Sequence, residues 1–210
     1  MGRVRITISI GEDLAKEVDR LVDGTHVRNR SHAIETMLAE SLHLSTIKTA
    51  VILAGGERAT KRIPAIVDSI KQLRAFGITQ IIVAVGYLGK EIKHELEKQQ
   101  VDTGIEYVQS TNGTGGAIVE LKSKLKKPFL VSNIHQPTRV DWESLIRFHN
   151  QHRPVATIAT KSLRDLNGVY LFEPAVFDYI PKGFSSLEDD VFVTLTKEGK
   201  LLSYPVLTEK

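Results

Sequence analysis

The sequence predicts an α/β chain in two parts: a small strand–helix–helix piece, then a doubly wound domain with a mostly parallel sheet. Three observations predict it. Residues 3–10 alternate polar and apolar throughout, the period-two mark of a strand with one buried face. Residues 12–42 then carry apolar side chains at helical spacing, broken at Gly24. From residue 49 onward, short apolar runs alternate with amphipathic stretches. That order builds a parallel sheet with helices on both faces.

Bulk properties narrow the class. With 41% hydrophobic and 25% charged residues among 210, the composition is that of an ordinary soluble globular protein. No apolar run approaches the ~18 residues that cross a bilayer. The charged, alternating start is no signal peptide, so a cytoplasmic location without membrane contact is expected. Cysteine is absent, which excludes disulfides, thiolate zinc sites and cysteine nucleophiles and suits a reducing compartment. The net charge of +3 says little. Its distribution says more: the opening strand is purely basic, Arg28 and Arg30 form a second basic spot, and the acids Glu12, Asp13, Glu17, Asp19 and Asp23 lie between.

The strand over residues 1–10 puts Val4, Ile6, Ile8 and Ile10 on one face and Arg3, Arg5, Thr7 and Ser9 on the other. A lone strand neither satisfies its backbone nor covers its apolar face. It is therefore expected to pair with its copy in a second chain. Gly11 ends it, and Glu12 and Asp13 suit the positive end of a helix dipole. Leu14, Val18, Leu21 and Val22 make one helical face, and Gly24 is placed as a C-cap glycine. Asn29 or Ser31 caps a second helix, with Ala33, Ile34, Met37, Leu38 and Leu42 on its apolar face. A piece spanning residues 1–44 without a staple is marginal alone. Dimerisation answers this, with two strands forming an antiparallel ribbon over the helices.

This stretch, from Arg3 to Leu42, resembles the ribbon-helix-helix DNA-binding domains of the Arc and Met repressors. The resemblance is carried by the alternating strand, by Glu12-Asp13-Leu14, and by Arg28-Asn29-Arg30-Ser31-His32-Ala33-Ile34. It implies a ribbon in the DNA major groove, with Arg5, Thr7 and Ser9 facing bases and Arg3 at the edge. Arg binds guanine O6 and N7 bidentately, and Thr or Ser donates to or accepts from several bases. The N-terminus of the second helix, around Arg28, Asn29, Arg30 and Ser31, would hold a phosphate. Double-stranded DNA and a second copy of the chain, as dimer or tetramer, are the partners implied. The alternative is a dimerisation module or a solvated strand. A free face with two arginines and no acid argues against it.

Residues 45–48 read as a linker between domains at 1–44 and 49–210. The apolar run Ala50-Val51-Ile52-Leu53-Ala54 has the form of a buried parallel strand and ends in Gly55-Gly56. A helix is expected over 64–76, a strand over 81–85, a helix over 89–99 and a strand over 105–108. Then come a helix near 117–125, a strand over 129–131, a helix over 142–152, and strands over 156–159 and 169–172. This alternation is Rossmann-like. No internal repeat or low-complexity segment interrupts it.

Residues 49–210 resemble the sugar-nucleotide pyrophosphorylases, nucleotidyltransferases that join a sugar phosphate to a nucleotide. The anchors are Leu53-Ala54-Gly55-Gly56, the run from Ile81 to Tyr87, Asn112-Gly113-Thr114-Gly115-Gly116-Ala117, and Phe129-Leu130-Val131-Ser132-Asn133. They continue in Gly168-Val169-Tyr170-Leu171-Phe172-Glu173-Pro174 and Ser186-Leu187-Glu188-Asp189-Asp190-Val191-Phe192. Against the family's pattern, the phosphate-gripping loop is shortened to Glu57-Arg58-Ala59-Thr60-Lys61-Arg62. A metal-binding Asn-Gly-Asp reads Asn133-Ile134-His135, where neutral His is a poor ligand for a hard cation. The segment 159–167 is too short for the family's Glu-Lys-Pro, and the chain stops before the region of the second metal aspartate.

These departures lead to the expectation of a domain with no enzymatic activity, no catalytic residue, no metal and no cofactor. What remains is a set of ligand-binding candidates: Leu53, Ala54, Gly55, Gly56, Arg58, Gly113, Thr114, Gly115 and Gly116. The resemblance implies that these loops cradle a base and ribose. Inherited turn glycines are the other reading, and both stand. Arg58, Lys61 and Arg62 either hold a phosphate or form a solvated basic loop. His149 and His152, three apart on a helix, read as a solvated face. Glu188, Asp189 and Asp190 read as charges at a helix N-terminus. The function expected is a homodimeric transcription regulator with an inactive second domain that senses a nucleotide or nucleotide-sugar or adds oligomer contacts. An active sugar-phosphate nucleotidyltransferase dimerised by its N-terminus is the alternative.

Overall fold

The computed structural model describes residues 4–24, 27–41, 47–56, 59–101, 103–134, 140–160 and 168–206. Arg3, Leu42, Arg58, His135 and residues 161–167, on which sequence expectations fall, lie outside them. The chain forms two compact units, 1–45 and 46–210.

In the first unit, helix α1 spans Glu12–Leu21 and helix α2 spans Arg30–Ser41. The core is small: Val18, Val27 and Ala33 are buried, with Val22, Ile34 and Met37 packed around them. One sequence expectation changes here, the end of the first helix. Residues 4–10 form no strand within the single chain, because a strand exists only where another backbone pairs with it. Helix α1 ends at Leu21, before Gly24, which sits at φ +73° in the following turn. That turn is held instead by the Asp23 carboxylate, which accepts the Val27 N–H at 2.9 Å. Asn29 caps α2, its side-chain oxygen accepting the His32 N–H at 3.0 Å.

The second unit is a seven-stranded sheet in the order β3-β2-β1-β4-β6-β5-β7. The strands are β1 (Thr49–Ala54), β2 (Gln80–Val85), β3 (Ile105–Gln109), β4 (Phe129–Asn133), β5 (Ala156–Thr160), β6 (Val169–Phe172) and β7 (Leu201–Pro205). All neighbours are parallel except β6, which runs antiparallel to β4 and β5. The sheet is buried on both faces, which is why β1 is apolar without alternation. Ala50, Ile52 and Ala54 face one core, while Val51 and Leu53 face the other. On the first face lie α3 (Ile63–Ala75), α4 (Gly89–Lys98) and α6 (Trp142–His152), through Ile66, Ile70, Leu96 and Leu145. On the second lie α5 (Gly113–Val119) and α7 (Phe192–Lys197), through Ile118, Phe192 and Leu195. Burying one such side chain stabilises by about 1.5–3 kcal/mol.

Three features of this unit differ from expectation. Helix α5 starts at Gly113, ahead of 117, so the glycine motif is its first turn and not a loop. Ile47, in the stretch read as linker, is buried in the sheet's core. The Lys48 carbonyl accepts the Thr79 and Gln80 N–H groups at 3.0 and 2.9 Å. Strand β7 was not expected.

Candidate functional site

The first candidate is the segment Val4 to Ile10. Val4, Ile6 and Ile8 are 85%, 75% and 53% exposed, and Ile10 is exposed as well. On the helices, Leu14, Leu21 and Leu38 are exposed as well. Arg5, Thr7 and Ser9 alternate with the apolar residues and are also exposed. At the start of α2, the exposed residues Arg28, Asn29, Arg30 and Ser31 come together. Asn29 is used as the cap. Arg30 is tied to Asp19 on α1 by a two-point ion pair, Nε to Oδ1 at 2.5 Å and Nη2 to Oδ2 at 2.6 Å. That hydrogen bonding holds the Asp19 carboxyl below its usual range and raises the Arg30 guanidinium above its own. Arg30 is thus oriented by Asp19, and the pair fixes α1 against α2 at a point where exposed ion pairs add little stability.

The second candidate lies in the α/β unit. The chain steps outward from β1 to β2 and β3, then returns to the other side of β1 as β4. Ligands of such sheets bind where the order reverses, at the carboxyl ends of the strands. There β1 runs into Gly55-Gly56, with Gly56 at φ +90°. A side chain on Gly86, after β2, would lie 3.7 Å from both Gly55 Cα and Gly56 N, so the two turns abut. A side chain on Gly55 would meet nothing within 4 Å. Leu53 and Ala54 turn their side chains into the two cores, and neither side chain reaches this opening. Among the basic residues, Arg62 Nη1 donates to the Ile134 carbonyl at 3.1 Å, while Lys61 is exposed.

Residues 113–116 are shaped by packing. Gly113 has φ +76°, and a Cβ there would come within 2.3 Å of the Ser185 carbonyl. At Gly115 a Cβ would lie 2.6 Å from Ser185 Oγ, and at Gly116 3.2 Å from the Gly183 carbonyl. These glycines therefore let the 183–185 turn press against α5. Thr114 is a connector: its hydroxyl donates to Glu188 at 3.1 Å and accepts the Leu187 N–H at 2.8 Å.

Glu188 is the hub of this wall. It sits in a single π-helical turn, Leu187–Val191, ahead of α7, a form that recurs at functional sites. Besides Thr114, it accepts Asn133 Nδ2 at 3.2 Å, Tyr170 Oη at 3.0 Å and Ser186 Oγ at 3.1 Å. Burial, then the Glu188 charge, pushes the Tyr170 hydroxyl pKa far up. Ser186 and Asp190 form a reciprocal cap, with Ser186 Oγ accepting the Asp189 N–H and Asp190 accepting the Ser186 N–H. The acidic run is thus a helix start as expected, but Glu188 does more. Tyr87, the end of the anchor run, and Phe184, not singled out in the sequence, stand exposed at this end of the sheet. Among the described residues, no three His, Asp or Glu side chains converge on a metal position.

His149 corrects a further expectation. It is buried, with Nδ1 2.8 Å from Thr157 Oγ1 and Nε2 3.2 Å from Glu173 Oε1. Only His152 lies on the solvated face. No helix among the described residues is long and apolar enough to cross a membrane.

Comparison with known proteins separates the two units. The family model for "Ribbon-helix-helix protein, copG family" matches residues 4–44. The chain is 24% identical over 178 residues to mannose-1-phosphate guanyltransferase beta-B of Xenopus laevis, which covers 67% of this chain and 49% of that protein. It is 25% identical over 197 residues to the mannose-1-phosphate guanylyltransferase catalytic subunit beta of Drosophila melanogaster, covering 76% and 52%. The chain thus spans about half the length of the curated relatives it matches. Among solved structures, HddC from Yersinia pseudotuberculosis superposes with a TM-score of 0.63 at 16% identity, covering 76% of this chain and 90% of that one. A 4-diphosphocytidyl-2C-methyl-D-erythritol synthase from Anaerococcus prevotii superposes at 0.54 and 14%, covering 77% and 87%. The fold of the second unit is nucleotidyltransferase-like. The expectation of no enzymatic activity is overturned, because the relatives are named as guanylyltransferases and point to an enzyme. That expectation rested on the shortened loop after Gly56, on Asn133-Ile134-His135, on the missing Glu-Lys-Pro and on the end of the chain; His135, and Arg58 of the remaining basic cluster, lie outside the described residues.

Proposed function

We propose that this chain, a ribbon-helix-helix domain fused to a nucleotidyltransferase-like domain, is a homodimeric DNA-binding transcription regulator whose second domain binds a nucleotide or nucleotide-sugar. The observation that carries the DNA reading is the segment from Val4 to Ile10. Its apolar side chains stand in water beside exposed Arg5, Thr7 and Ser9. Uncovered apolar surface of this extent is unfavourable, and a second copy supplies both a strand to pair with and an apolar face to bury. The opposite face is then left free for the major groove, where Arg5 has the reach for guanine. The test is selection of duplexes from a random pool by the full chain, followed by anisotropy titration. Arg5→Ala should weaken binding to the selected duplex by about tenfold or more. A pool that yields no common sequence, or an Arg5→Ala variant that binds as tightly as the wild type, would sink the reading.

The names of the relatives favour a second role for the α/β domain: transfer of a nucleotidyl group to a sugar phosphate. In such a transfer a phosphate oxygen of the sugar phosphate attacks the α-phosphorus of a nucleoside triphosphate, and pyrophosphate leaves. Incubation of the chain with GTP, mannose 1-phosphate and Mg²⁺ should release pyrophosphate above a control lacking the sugar. No release with any of the common nucleoside triphosphates and a panel of sugar 1-phosphates would remove this role.

A further inference from the structure

The fold leaves the Phe184 ring in water while holding the backbone beside it still. Phe184 is 77% exposed. The next residue, Ser185, is fully buried and clamped to the start of α5. Its N–H donates to the Asn112 carbonyl and its own carbonyl accepts the Gly115 N–H, both at 2.9 Å. Phe184 cannot swing away with a mobile loop, because the chain beside it is fixed. Its ring folds back over Gly113, with Cζ 3.3 Å from the point a Cβ on Gly113 would occupy. One edge of the ring thus rests on a residue with no side chain, and the remainder is open.

The position of the ring matters as much as its exposure. Gly113 follows β3 through Ser110, whose N–H donates to the Val85 carbonyl at the end of β2 at 2.9 Å. Phe184 therefore stands at the carboxyl ends of the parallel strands, the end where the Gly55-Gly56 and Gly86 turns abut. Its neighbours are polar or charged: Lys182 is exposed two positions earlier, and Asn112 and Ser110 are held by the exposed Glu120 carboxylate at 2.9 and 3.1 Å. A flat apolar surface with polar neighbours at a ligand crevice suits a flat ligand group with polar edges.

We propose that Phe184 is the surface on which the base of a bound nucleotide stacks. This rests on the nucleotide-binding role proposed above for the same domain. Stacking on a ring depends on the π-face that every base carries, so Phe184 adds affinity without choosing among bases. Its contribution is separable from contacts to ribose and phosphate.

The test is calorimetry on the full chain with ATP, GTP, CTP, UTP and the base-free ribose 5-triphosphate. Phe184→Leu should weaken binding of each base-carrying ligand by about tenfold and leave ribose 5-triphosphate unchanged. Phe184→Tyr should bind as the wild type does. The urea midpoint of Phe184→Leu should stay at the wild-type value, since the ring is exposed. Independently, the added indole of Phe184→Trp should be quenched on nucleotide binding, beyond any change of the resident Trp142. The proposal is overturned if Phe184→Leu binds the triphosphates as tightly as wild type, if it loses the base-free ligand equally, or if the added indole is unaffected by saturating nucleotide. Wild-type protein that binds none of the nucleotides would remove the nucleotide-binding role itself. Binding that ignores position 184 would remove this inference alone.

Discussion

Asp141 caps α6 with both carboxylate oxygens: Oδ1 accepts the Ser144 N–H at 3.1 Å and Oδ2 accepts the Ser144 hydroxyl at 2.7 Å. The hydroxyl bond first, then the backbone bond, holds the carboxyl below its usual range. A carboxylate whose folded-state pKa is depressed contributes stability above its unfolded-state pKa, near 4, and loses it as pH falls through the folded value. Asp141→Ala should therefore lower stability by about 1 kcal/mol at neutral pH, read from urea midpoints, and by progressively less below pH 4. A difference that held constant down to pH 2.5 would show that the ionised cap is not its source. Such a cap joins residues three positions apart, a local pattern. The Glu188 network is not local. Its donors Thr114, Asn133 and Tyr170 lie 74, 55 and 18 residues away, so the local pattern shows only an acid in an acidic run. The burial of His149 is hidden from the sequence for the same reason, because Thr157 and Glu173 reach it from other elements.

At the scale of elements, the strands of the sheet's centre were legible because each is apolar on both faces and bounded by glycine or a polar turn. Strand β7 was not, since it is a short, half-buried edge. Helix α5 starts ahead of the point the sequence predicts, because Gly113, Gly115 and Gly116 have poor helix propensity and only contact with the 183–185 turn explains them. The two glycine motifs, alike in sequence, should part in behaviour. Gly113→Ala must place a Cβ against the Ser185 carbonyl at positive φ, and should cost about 1–3 kcal/mol of stability. Gly55→Ala enters open space and should change stability by less than about 0.5 kcal/mol. Urea denaturation of the two variants checks this, and equal midpoints would contradict it. Gly55→Ala is accordingly the cleaner probe of ligand binding at the strand ends.

For the whole molecule, the division into two parts was readable from the change of period near residue 49, while the side to which Ile47 belongs was visible only in the packing. The strand reading of residues 4–10 depends on something a single chain does not contain. Ile8→Lys places a charge in the proposed shared core, and sedimentation over a range of concentrations should find this variant monomeric where the wild type is dimeric. An Ile8→Lys variant that stays dimeric would place the dimer contact elsewhere. The exposed alternation at Val4, Ile6, Ile8 and Ile10 also bears on dosage. If two chains complete each ribbon, the DNA-competent species grows as the square of free chain concentration wherever monomer predominates. Promoter occupancy would then respond to dilution at cell division more steeply than the abundance of the chain itself. A regulator built this way would be a meter of its own synthesis rate before it met any ligand.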